Sequence, residues 1–177
     1  MEKLTTVEKE IIKDLKASDS KIVLQALKKS RKEGSAMVFQ AILDVLKDTD
    51  EPLVESAIIE FLYDLKDETS IPILIQAIEN EAFEYYSSFL IAAFWQSAID
   101  GSDHIQLFVK KAIESDYMTA LEALTVVENF DSTFDEQLLD ECKTDLSIAI
   151  DEEEDEDKKS LLESLHDVIQ NLAIEGE

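Results

Sequence analysis

The chain has little that would bend a backbone sharply. Its 177 residues include three Gly and two Pro, too few turn formers for an all-β sandwich or barrel. A single cysteine, Cys142, leaves no partner for an intrachain disulfide. Bases are scarce too: 16 Lys and Arg stand against 41 Asp and Glu, for a formal charge of −25. A phosphate backbone needs cations opposite it, so ordinary nucleic-acid binding is all but excluded, and an anionic membrane surface is disfavoured for the same reason. Long apolar runs are missing as well. The longest uncharged stretch, residues 85–99, has 15 residues between Glu84 and Asp100, where a membrane span needs about 20. The first residues lack the apolar core of a secretory signal. Together these absences predict a cytoplasmic protein.

What is present reads as helix. Apolar residues make up 45% of the chain, enough to fold on burial, and they recur at helical spacing with no sustained alternation. Leu4, Val7, Ile11, Ile12 and Leu15 share one face, behind a capping box at Thr5 and Glu8. Stop-and-start signals follow at Gly34-Ser35, Asp50-Glu51-Pro52, Thr69 to Pro72, Gly101-Ser102 and Asp131-Ser132. They divide the chain into roughly ten helices and no strand.

The helices pair into similar units. An apolar residue stands three before an alanine in Val23/Ala26, Val54/Ala57 and Phe89/Ala92, with a weaker copy at Ala120/Ala123. The second helices end in related tetrads: Val45-Leu46-Lys47-Asp48, Ala77-Ile78-Glu79-Asn80 and Ala112-Ile113-Glu114-Ser115. Recurrence at this interval signals a helical repeat array. Repetition of one close helix–helix geometry builds a solenoid. The reading expects no sheet at all, and burial of Val23, Ala26, Val54, Ala57, Phe89 and Ala92.

The segment from Ala57 to Asn80 resembles a HEAT repeat in spacing and composition, most of all in Ile71-Pro72-x-Leu74-x-x-Ala77-Ile78. The likeness covers residues 20–115 and loosens beyond them. It implies an all-α, right-handed α-solenoid of about four to five HEAT-like helix pairs in one domain. Residues 1–19 form an N-terminal capping helix; 20–49, 50–82, 83–116 and 117–150 are pairs; 151–157 is an acidic loop; 158–174 is a C-terminal capping helix. In this family the second helix of each pair lines a concave partner-binding face. Carrying the repeat spacing along the chain places Gln40, Asp44, Lys47, Gln76, Glu79, Leu107, Lys111 and Glu114 in that groove.

Charge is unevenly spread. Residues 1–34 carry nine bases and six acids, whereas residues 35–177 carry seven bases and 35 acids. Such a field draws basic partners and repels anionic ones. Aromatics gather between Phe83 and Trp95, and because Phe94 and Trp95 point about 100° apart on a helix, they form a candidate aromatic patch. Trp95 is assigned to the core, with a binding surface as the alternative.

Catalytic patterns are absent from the sequence. His104 and His166 are expected near solvent, and Cys142 lies on the apolar stripe Leu138, Leu139, Cys142, Leu146, Ala149 as an inert thiol. The run of seven acids at 151–157 lacks the Gly and Glu that a calcium loop needs at its sixth and twelfth places, which are Glu156 and Leu162. The expectation is therefore no enzyme activity, no cofactor and no metal site. The expected function is a scaffold or interaction module holding a basic protein or peptide, with neither nucleic acid nor membrane as partner. The alternative is an acidic mimic of nucleic acid that fills a DNA-binding protein's basic groove.

Overall fold

In a computed structural model that describes residues 4–176, the chain is all-helical, with ten α-helices among the described residues. These are α1 (Thr6–Leu15), α2 (Ser20–Glu33), α3 (Ala36–Asp48), α4 (Pro52–Leu62), α5 (Ile71–Ile78), α6 (Ser87–Gln96), α7 (Ile105–Glu114), α8 (Tyr117–Glu128), α9 (Glu136–Glu152) and α10 (Glu156–Gln170). The abundant acids explain many of the helix starts. Thr5 and Glu8 close the capping box on α1, while the carboxylates of Asp19, Asp116, Asp135 and Asp155 accept backbone N–H bonds at the starts of α2, α8, α9 and α10. A carboxylate there satisfies orphaned donors and meets the positive end of the helix dipole.

The helices group into two compact units, residues 1–85 with 96–99 and residues 86–95 with 100–177. In the first unit α1 packs on α2 and α3, α2 on α4, and α3 on α4 and α5. Its core includes Ile11, Leu15, Ile42, Leu46, Ile58 and Leu74. Phe39 and Phe61 stack with centroids 6.2 Å apart. In the second unit α7 packs on α8, α9 and α10, and α10 also on α8 and α9. A chain of rings runs through it: Phe94 meets Phe108 edge-on at 5.1 Å, Phe108 meets Phe130 at 6.0 Å, and Phe130 meets Phe134 at 5.9 Å. Gly101 lies against this chain. A Cβ at Gly101 would come within 2.6 Å of the Phe94 ring, so a side chain there would push the ring away.

Four expectations need correction. The chain is not strand-free: β1 (Thr133–Phe134) and β2 (Ala173–Ile174) pair in parallel. The pair lies outside the helices, where exposed backbone between α8 and α9 meets the segment after α10. Of the six repeat positions, Val23, Ala26, Val54 and Ala92 are buried, but Ala57 and Phe89 are only half-buried. The loop within the heptapeptide 151–157 is shorter than expected: Asp151 and Glu152 finish α9, residues 153–155 connect the helices, and Glu156 and Asp157 begin α10. α10 starts there because Asp155 caps it and two further acids sit in its first turn, at the favourable end of the dipole. Finally, Phe94 is core and contributes nothing to a surface patch, because its ring is held by Phe108.

Candidate functional site

Ser30 and Arg31 are polar residues that α2 turns toward its neighbours, and both are accommodated. The buried Ser30 hydroxyl donates to the Ala26 carbonyl at 2.9 Å. Arg31 pairs with Asp64 beyond α4 and sits over the Phe61 ring, 5.7 Å from its centre. Lys66 reaches the same carboxylate at 3.4 Å. Arg31, and after it Lys66, hold the Asp64 carboxyl below the usual range. These three charged residues line a partly open cavity of about 150 Å³, together with Val38, Phe39 and Phe61.

The predicted groove residues fall in both units. In the first, Gln40, Asp44 and Lys47 lie exposed on α3, with Gln76 exposed on α5 and Glu79 just beyond its end. The Gln40 amide donates to Asp44 at 3.4 Å. Of these five, Asp44 lines an open trough of about 510 Å³, together with Val45, Asp48, Asp50 and Glu51. In the second unit, Glu114 lines a trough of about 490 Å³ between α7 and α9, whereas the half-buried Leu107 and Lys111 do not. The α7 wall is formed by Gln106, Val109, Lys110, Ile113 and Glu114, and the α9 wall by Cys142, Asp145, Ile148, Ala149 and Glu152. Ile148 is 55% exposed. At one end the Gln106 amide donates to Glu141 at 3.2 Å. Burial pushes the Cys142 thiol up to about 11, with help from the charges of Asp145 and Glu141. It is a poor nucleophile at neutral pH.

Trp95 is 39% exposed, and its indole N–H donates to the Glu122 carboxylate on α8 at 2.7 Å. The assignment of Trp95 to the core is thus corrected: its indole stays partly accessible, held at the surface by Glu122. His104 and His166 are both half-buried. No group of three or more His, Cys, Asp or Glu among the described residues is arranged to hold a metal ion. No helix among them is long and apolar enough to cross a membrane.

Lys158 was not singled out by the sequence. Its ammonium donates to the Ile113 carbonyl at the end of α7, 2.8 Å away, and pairs with Glu153 at 3.2 Å. A cation at a helix C-terminus opposes the dipole there. The Asp155 backbone N–H, then Lys158, hold the Glu153 carboxyl below its ordinary range. Asp116 is lowered too, chiefly by the Thr119 backbone N–H and hydroxyl.

Comparison with known proteins gives no matching family model, no matching curated protein and no matching solved structure. The reading of function therefore rests on the geometry alone.

Proposed function

We propose that this chain is a non-enzymatic interaction module, a right-handed solenoid of HEAT-like helix pairs that holds a basic protein or peptide along its second helices. The observation that carries the reading is the pairing of alternate helices within each unit. In the first, α1 meets α3, α3 meets α5, and α2 meets α4; in the second, α7 meets α9 and α8 meets α10. Stacked pairs produce this order, because each helix lies beside its counterpart in the next pair. Each unit also carries a trough rimmed by carboxylates: Asp44, Asp48, Asp50 and Glu51 in the first, Glu114, Asp145 and Glu152 in the second. Apolar side chains between acids suit a partner carrying both apolar and basic residues.

Affinity capture from a cytoplasmic lysate at low and high salt tests this proposal. The expected result is a small set of basic proteins, retained by the parent and lost when Asp44, Asp48, Asp145 and Glu152 are changed to Asn or Gln. Neutralising Asp151 and Glu154 at the α9–α10 junction instead should leave capture intact. Capture insensitive to which acids are neutralised would overturn the reading. Recovery of DNA-binding proteins alone, released by duplex DNA, would replace it with mimicry of nucleic acid.

A further inference from the structure

We propose that the trough between α7 and α9 receives a basic amphipathic helix of the partner, which packs as a third helix against these two. This rests on the interaction-module reading and adds the partner's secondary structure and residue pattern.

The first argument is the backbone. Both walls are helices, whose N–H and C=O groups are already bonded within themselves. A segment lying between them finds no strand edge to extend, so it must satisfy its own main chain. A helix does that. The second argument is the spacing of the walls. On α7 the lining positions Gln106, Val109, Lys110, Ile113 and Glu114 step by three and one; on α9, Cys142, Asp145, Ala149 and Glu152 step by three and four. Each set is one helical face, so two parallel ridges border a single furrow. Ridges and grooves of this kind are what a third helix packs into.

Chemistry fixes the occupant's pattern. Ile113 and Ile148 offer apolar contacts in the furrow above the buried Val109, with Ile148 the most exposed. Glu114, Asp145 and Glu152 stand against the single base Lys110. The residues of this unit carry 23 acids and five bases in all, so its field favours a cationic segment. The partner helix therefore has apolar residues at i, i+3 or i+4, and i+7, Lys or Arg beside them, and an acid opposite Lys110. At 1.5 Å per residue the ten residues of α7 give about 15 Å of contact.

Two labelled peptides of about 14 residues and identical composition test this, measured by fluorescence anisotropy against the full chain at physiological salt. One carries its leucines on one helical face between lysines; the other spreads them around the helix. The amphipathic isomer should bind at least about tenfold tighter. Ile148→Glu should weaken it by about tenfold even though the substitution adds negative charge. Thermal melting checks that this variant is folded. Backbone amide shifts recorded on the parent, moving in α7 and α9 on titration, supply a measurement that needs no variant. Equal binding of the isomers, unchanged or tighter binding by the Ile148→Glu variant, or no binding of either peptide would overturn the inference. None of these touches the broader reading, which the capture experiment tests separately.

Discussion

The two units share a way of packing and differ in how they carry charge. The first holds 18 acids and 11 bases; the second holds 23 acids and only five bases. In each, a cation ties distant segments together. Arg31 does so in the first, pairing with Asp64 and stacking on Phe61. Lys158 does so in the second, joining the start of α10 to the end of α7 and to Glu153. Their settings are unequal: the Arg31 side chain is 34% exposed and that of Lys158 is 15% exposed. Of the two, the cation in the unit with fewer bases lies deeper. A few bases in such an acidic chain serve as local ties rather than as a balance of the total.

The largest effect that would sharpen this comparison is in the aromatic core. Phe108→Ala removes a fully buried ring wedged between Phe94 and Phe130, and should cost about 3–5 kcal/mol in denaturant unfolding. Hydrogen exchange should accelerate in α7 to α10 and stay near parental rates in α1 to α3. Acceleration throughout would mean that the units open together, and the comparison would lose its basis.

Next come the two cations. Lys158→Met should destabilise the second unit by about 1–2 kcal/mol, because it strips partners from the Ile113 carbonyl and from the partly buried Glu153. Arg31→Met should cost about 0–1 kcal/mol, as expected for a pair screened by solvent. Equal costs would show that burial does not separate them.

Acid offers a third test. Glu153 is lowered when folded, so the folded chain binds its proton less readily than the unfolded chain. The associated stability is complete above the ordinary glutamate value of about 4.3 and is lost as pH falls through the lower folded value. The gap between parent and Lys158→Met should therefore be full at neutral pH and narrow below about pH 4 in urea titrations. A gap that stays constant across that range would refute the pairing. A similarly small effect is expected at the second unit's half-exposed indole: Trp95→Phe removes the bond to Glu122 and part of a ring that is already open to solvent, and should cost about 0.5–1 kcal/mol in the same assay.

Local rules made much of the helix pattern legible. The Thr5–Glu8 capping box and Pro52 at the start of α4 act within a few residues, so reading neighbours suffices. Contacts between distant residues were not legible. Nothing near Lys158 announces the Ile113 carbonyl, 45 residues away. Phe94 and Trp95 differ only in which of them meets Phe108, and that is decided across the unit. The repeat spacing names Lys111, whereas the neighbouring Lys110 is the one that lines the α7–α9 trough. One residue along a helix is a turn of about 100°, so neighbouring positions face different surroundings.

The two-residue parallel pair has a consequence for the order in which the chain assembles. Thr133 and Phe134 meet Ala173 and Ile174, and the Glu175 N–H adds a bond to the Phe134 carbonyl at 3.0 Å. Between them lie α9 and α10, so the pairing closes a long loop whose entropic cost is about 3 kcal/mol. So short a ladder does not close such a loop unaided. It forms after α9 and α10 have docked and shortened the gap, and it opens before they separate. The Glu175 amide thus acts as a latch indicator: its exchange rate reports the docking of α10.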